Sequence, residues 1–190
     1  MYKLVEWNEN LDLKDFYLKA KIRGFENNCS QKVMIDCFRN EREWNAWILY
    51  QNGEAVGSVA AHSFDEFLPG SYRVLSRVCA FEYSTQNKGL NKVKRLFAEH
   101  QSISDQFFLP QCIRWVNNRG RIFSSSNQNE KGSQRLVHRH YFPTLESLGI
   151  VRNMGNFYYR GVDQTIWEIF PDKFLDNLKR FKSWHDETDI

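Results

Sequence analysis

This chain is short of cysteine, of proline, of long apolar runs and of any excess of one charge. Its four cysteines, Cys29, Cys37, Cys79 and Cys112, fit neither a CxxC redox pair nor a zinc-ribbon spacing. That leaves reduced structural thiols in a cytoplasmic protein as the expectation, with no metal site. No apolar run approaches the roughly 18 residues of a membrane-spanning helix, so no membrane partner is expected. The first residues, Met1 to Trp7, lack the apolar core and small-residue cleavage site of a secretory signal. Lysine and arginine number 26 against 23 acidic residues, a net charge of +3. So mild an excess makes no case for nucleic acid, but it permits an anionic ligand. Four prolines and ten glycines lie scattered. They form no low-complexity linker, and no repeat or domain boundary is visible.

What the chain does have is aromatic mass, with fifteen Phe and six Trp in 190 residues. That length and composition predict one well-packed domain spanning 1–190, with 171–190 as a C-terminal helical extension. Alternation predicts a first strand over 2–7. Helical spacing at Leu13, Phe16, Tyr17 and Ala20 predicts a helix over 12–25, stopped at Gly24. Two strand-like runs over 44–50 and 55–61 flank Asn52-Gly53, a strong hairpin signal. Helical spacing resumes over 107–116 around Pro110, and 121–126 forms a short strand. A helix over 133–148 is expected to kink at Pro143 and to stop at Gly149. A second hairpin, 151–160 and 164–170, turns at Gly161. Pro171 then opens an amphipathic helix with Phe174, Leu175, Leu178 and Phe181 on one face. This order predicts a mixed α/β sheet.

The most informative stretch is 72–97. A strand over 72–81 passes into the polar turn Ser84 to Gly89, which opens into helical spacing over 90–97. Free N–H groups of a first helical turn, helped by the helix dipole, make a ready anion site. Lys88, Lys92, Lys94 and Arg95 add positive charge there. A plain strand-to-helix connection with a solvated lysine face accounts for the segment equally well.

Taken with the upstream hairpin, Gln86-Asn87-Lys88-Gly89-Leu90-Asn91 resembles the pyrophosphate-binding turn of the GNAT superfamily of acyl-CoA N-acyltransferases. That turn runs Gln/Arg-x-x-Gly-x-Gly/Ala. Gln86 and Gly89 match, and Asn91 departs from it. The order of elements is similar over nearly the whole chain. The resemblance implies a single-domain, mostly antiparallel GNAT-like sheet flanked by helices, with acetyl-CoA or another acyl-CoA as cofactor. It places Gln86, Asn87, Lys88, Gly89, Leu90 and Asn91 at the pyrophosphate. The strand then splays from 121–126, and the backbone at Cys79 to Phe81 faces pantetheine. For the side chains of Cys79 and Phe81, ordinary sheet core is the plainer expectation.

The usual catalytic groups are missing. The family's strand glutamate falls, counting back from Gln86, on Leu75. Its helical tyrosine falls on Leu136, or on Leu145 if the count is anchored at Gly149. The nearest replacements are His138 and Tyr141, which share a helix face. A histidine there could act as base, and a tyrosine could protonate the departing thiolate. Ser76 and Arg77 form an unexpected polar pair on the strand, and Arg77 could hold a carboxylate, a phosphate or a carbonyl. His62 and Ser63 close the first hairpin on the side from which an acceptor could enter. Each of these groups has an ordinary structural alternative, as a surface histidine or an ion-pair partner. The polar stretch 124–140, with Arg135 and Arg139, could grip a second anion. The chain also looks similar to divergent phage-encoded GNAT-like proteins, among them the Mom-type enzymes that modify adenine in DNA. The expected activity is acyl transfer to an amine on a small molecule, a protein or a nucleobase. The alternatives are a Mom-type base-modifying enzyme and a fold retained for binding or regulation without catalysis.

Overall fold

The computed structural model describes residues 2–22, 38, 40–78, 103–127, 137–159 and 161–177. Among the described residues, seven strands form one sheet: β1 (Tyr2–Glu6), β2 (Trp44–Gln51), β3 (Glu54–Ser63), β4 (Tyr72–Val78), β5 (Ile122–Ser126), β6 (Val151–Tyr159) and β7 (Val162–Ile169). Their spatial order is β1-β2-β3-β4-β5-β7-β6. Every neighbouring pair is antiparallel except β4 and β5, which run parallel. The expected mixed, mostly antiparallel α/β class is thus what the chain forms. Both hairpins close as their turn residues require. Asn52 and Gly53 take φ of 53° and 90°, and Gly161 takes 84°. Positive φ at both central residues is the primed turn that matches strand twist.

The helical segments are α1 (Lys14–Ile22), α2 (Leu109–Val116), α3 (Phe142–Ser147) and α4 (171–177). Wider π-helical turns, Ser104–Phe108 and Val137–Tyr141, precede α2 and α3. The predicted kink at Pro143 is therefore a change of helix type. Pro143 has no N–H to close an α-turn onto Arg139, and Pro110 has none for Gln106, so the chain widens just before each proline.

Strand alternation divides the apolar residues between two faces. Tyr72, Val74, Ile122, Trp167 and Ile169 pack under Phe108, Leu109, Cys112, Val116, Phe142, Leu145 and Phe174. Phe64, Phe123, Tyr159 and Ile166 form a second cluster, with Phe67 and Phe157 against it. In α4 only part of the expected stripe is buried. Phe174 is 0% exposed and Leu175 is 37% exposed. Leu178 and Phe181 lie outside the described residues.

Gly120 sets the spacing at the root of β4 and β5. A Cβ there would lie 2.0 Å from the Gly70 carbonyl oxygen and 3.1 Å from the Tyr72 ring. The obstacle is backbone and cannot rotate away. Gly120→Ala should cost about 1–3 kcal/mol, as overpacking does, and lower Tm by roughly 2–4 °C per kcal/mol. An unchanged melting curve would show that the two turns sit further apart.

Ion pairs tie the same end of the sheet. Glu43 accepts from Tyr72 Oη and from Arg42 and Arg119, while Arg42 also meets Asp65 at 3.1 Å. Glu168 is bracketed by Arg121 and Arg152. The Tyr72 hydroxyl holds the Glu43 carboxyl below its ordinary value, and Arg42 does the same for Asp65. Arg121, then Arg152, lower that of Glu168. Depressed carboxyl pKa values stabilise the fold above the ordinary carboxylate range, and that contribution is lost as pH falls through it. Tm should therefore drop between about pH 5 and pH 2, and Glu168→Gln should flatten the slope of Tm against pH. A slope identical to that of the native chain would remove Glu168 from the effect.

Candidate active site

The parallel pair β4–β5 opens almost as soon as it forms. β4 stays paired with β3 from Ser63↔Tyr72 to Gly57↔Val78. β5 stays paired with β7 from Ile122↔Ile169 to Ser126↔Thr165. Between β4 and β5 the register holds at Tyr72↔Ile122 and Arg73↔Phe123 only. Beyond those two positions the inner edges face each other with no strand between them among the described residues. Backbone N–H and C=O groups on such an edge need partners. An extended ligand carrying amide groups fits that need.

The β5 side of the gap is a run of three serines, Ser124, Ser125 and Ser126, whose side chains alternate between the faces. Ser125 Oγ accepts from Arg73 Nη2 at 2.6 Å, and Arg73 also reaches Gln164 Oε1 on β7 at 2.5 Å. Its guanidinium stacks over Tyr159 and Phe64, 4.8 Å and 5.4 Å from the ring centres. Arg73 thus braces β4 to β5 and β7 where the strands part.

On the helical face Ser126 meets His138. Ser126 Oγ lies 2.9 Å from His138 Nδ1 and accepts from Trp167 Nε1 at 2.8 Å. Trp167 is held flat against Phe142, 5.0 Å away at an interplanar angle of 6°. His138 therefore stands over the C-terminal end of β5, on the helical face of the sheet. Burial, then the neighbouring Arg139 charge, lowers its pKa below the ordinary 6.5, so the ring is neutral near pH 7. His138 also lines a cleft of about 430 Å³ with Pro143, Glu146, Asn153, Gly155, Asn156, Thr165 and Trp167. A register shift between Asn153 and Asn156 bends β6 along its rim, as bulges do where a side chain must be re-aimed.

Tyr141 sits elsewhere. It is buried, and its hydroxyl donates to Asp105, which ties the two π-helical turns together. Burial, with Asp105 beside it, pushes its pKa well above the ordinary value. That proton is engaged inside the helical layer and is not directed at the gap. Leu75 packs against the apolar cluster of Phe38, Ala46 and Ala60, and Leu145 is buried in the main core. Both are core residues, with nothing to titrate.

Ser76 and Arg77 take their places on β4 opposite Val59 and Ser58. His62 is buried against Phe38, with Nδ1 donating to the Ser63 carbonyl at 2.7 Å and lying 3.5 Å from Glu41. The Ser63 hydroxyl donates to Glu41 at 3.0 Å and accepts the Arg42 N–H at 2.9 Å. Arg139 is exposed. Cys79, Phe81, Gln86, Asn87, Lys88, Gly89, Leu90, Asn91, Arg135 and Leu136 lie outside the described residues.

The sequence carried no signal for the bonds of Ser126 to His138 and Trp167, of Tyr141 to Asp105, or of Arg73 across the strands. Alternation along β4 sets Arg73 on the face opposite Tyr72 and Val74, but its burial there and its reach to β7 were not legible.

No protein-family model and no curated protein matches the chain. Solved structures do match. A probable acetyltransferase from Staphylococcus epidermidis aligns with a TM-score of 0.54 at 11% identity, over 88% of this chain and 98% of that one. The aminoglycoside acetyltransferase AAC(6')-Ib, in complex with coenzyme A and kanamycin, gives 0.52 at 10% identity over 93% and 98%. Aminoglycoside 6'-acetyltransferase type Ii gives 0.51 at 15% identity over 89% and 97%. The fold is that of the GNAT acetyltransferases. At such identity the likeness is one of architecture, and it spans both chains nearly end to end. Among the described residues, no helix of this GNAT fold is long and apolar enough to cross a membrane.

Proposed function

We propose that this protein is an N-acyltransferase that moves an acyl group from acetyl-CoA, or a related thioester, to an amine. The observation that carries the reading is the open β4–β5 gap, where pairing ends after Arg73↔Phe123. Across β5 from the gap, a polar cleft over β6 and β7 carries a neutral histidine that meets the last residue of β5. The structural neighbours support the cofactor, since AAC(6')-Ib is seen with coenzyme A. The thioester would supply the activated acyl carbon, and the chain would supply position and polarity. The β4 edge beyond Arg73, together with the backbone at Cys79 to Phe81, would hold the pantetheine amides. Residues 86–91 would hold the pyrophosphate on backbone N–H groups, with Lys88 or Lys92 adding charge. His138 is the side chain we assign to the reacting atoms. Tyr141 is structural on this reading, and Ser76 and Arg77 are candidates for the β4 wall.

Gly89→Val should weaken coenzyme A binding at least tenfold, about 1.4 kcal/mol, by setting a branched side chain against the phosphates. Equal affinities by calorimetry would remove the turn from the site. The activity itself is tested by thiol release from acetyl-CoA with panels of small amines, peptides and single-stranded DNA. Release with one panel identifies the acceptor, and the DNA panel covers a base-modifying role.

A second reading, a GNAT fold kept for binding alone, is favoured by leucines at the usual catalytic positions: Leu75, partly buried against an apolar cluster, and Leu136 or, on the count from Gly149, the buried Leu145. Coenzyme A binding without thiol release in any panel would select it.

A further inference from the structure

A neutral histidine can meet a ligand with a lone pair or with an N–H. Which one it offers at one ring nitrogen is set by the bond at the other. Nδ1 of His138 faces Ser126 Oγ at 2.9 Å. Ser126 is 6% exposed, and among the described residues its hydroxyl meets two groups, His138 Nδ1 and Trp167 Nε1. An indole nitrogen only donates. The Trp167 bond therefore uses a lone pair of Ser126 and leaves the hydroxyl proton one acceptor, His138 Nδ1. The reverse arrangement would point two donors at one buried oxygen and strand its own proton. Leaving a buried donor unmet costs about 1–3 kcal/mol.

We propose that Ser126 and Trp167 are positioning residues that hold His138 as the Nε2–H tautomer. The imidazole then meets the thioester carbonyl as a hydrogen-bond donor and not as a base. This rests on the acyltransferase reading above. A fixed donor aimed where negative charge develops favours the transition state. No proton changes owner at His138: the amine nitrogen bonds to the carbonyl carbon, the carbon–sulfur bond breaks, and the amine proton passes to solvent, which protonates the thiolate. The lowered pKa of His138 keeps the ring neutral, as one fixed tautomer requires. Among the described residues, the charged groups around it are Arg139 on its own segment and Glu146 on α3. β5, β6 and β7 present Ser126, Asn153, Asn156, Thr165 and Trp167 there, none of them charged.

Nitrogen-15 NMR of the histidine rings tests the tautomer without substrate. In the native protein at about pH 7.5, above the ordinary histidine pKa, His138 should show a protonated Nε2 and a bare Nδ1. Ser126→Ala should release the ring to a mixture of tautomers, and Ser126→Thr, which keeps the hydroxyl, should hold it. A protonated Nδ1 in the native protein, or an unchanged pattern in Ser126→Ala, would overturn the proposal.

Turnover tests the role. Ser126→Ala should lower kcat roughly tenfold or more, as loss of a tautomer-fixing partner does, with KM for acetyl-CoA retained. His138→Gln keeps a side-chain N–H and should retain more activity than His138→Ala. Equal losses in the two variants would overturn the donor role. If no acceptor is turned over while the tautomer is as stated, the acyltransferase reading falls and takes the donor role with it, and the positioning of His138 stands.

Discussion

Replacing His138 by alanine should lower turnover by about 10²–10³-fold, the usual loss when one preorganised donor is removed from an acyl-transfer site. Affinity for acetyl-CoA should stay close to the native value. The two effects separate because of where His138 stands. It hangs from Ser126 at the end of β5 and faces the cleft, whereas the cofactor's phosphates are assigned to residues 86–91. A loss in kcat with unchanged cofactor binding is the signature of an interaction made only in the transition state. Binding by calorimetry and turnover by thiol release measure the two halves. Native turnover in the variant would take His138 out of the chemistry. A parallel loss of acetyl-CoA affinity would make it a binding residue instead.

Phe123→Ala should destabilise the chain by about 3–5 kcal/mol, as deletion of a fully buried phenylalanine does. That corresponds to a drop in Tm of roughly 6–20 °C at this chain length. Phe123 is 0% exposed and sits on β5 at one of the two positions that register with β4. Its ring meets Phe67 edge-on at 5.0 Å and Phe64 at 6.5 Å, with the Arg121 guanidinium 5.2 Å from its centre. Loss of the ring would open a cavity under the 64–71 loop, which the other aromatic rings are too rigid to fill. Because Phe123↔Arg73 closes the root of the gap, acetyl-CoA should also recover part of the lost stability by binding the folded state. Urea titration with and without acetyl-CoA reads both effects. A change under about 1 kcal/mol would mean that this second cluster holds little of the fold's stability.

The strands and their turns were legible in the sequence because their signals are local. Asn52-Gly53 and Gly161 can be read where they stand, and the alternation of Tyr72, Arg73 and Val74 shows which side chains share a face, though both faces prove to be buried. The splay between β4 and β5 was legible only through the resemblance, since nothing in either strand records where pairing stops. The sequence suggested a kink at Pro143 and plain helical spacing around Pro110, where the chain forms π-helical turns before both. A proline signals an interruption, but whether the chain kinks or widens into a π-turn depends on the packing around it. His138 was singled out by its closeness to a missing tyrosine. Its partner Ser126, and Trp167 bonded to Ser126, lie on two other elements and carry no spacing signal. Tyr141 shared a helix face with His138 in the sequence, yet the π-helical turn sends its hydroxyl to Asp105. Three-residue spacing places two side chains together only while the helix keeps its α pitch.

The open gap is tested most directly by a crystal structure grown with acetyl-CoA. Density for the pantetheine arm is expected between β4 and β5 beyond Arg73 and Phe123, with the pyrophosphate at residues 86–91 and His138 beside the thioester. Strands β4 and β5 hydrogen-bonded along their full length, or acetyl-CoA bound elsewhere with the gap filled by the protein's own side chains, would contradict it.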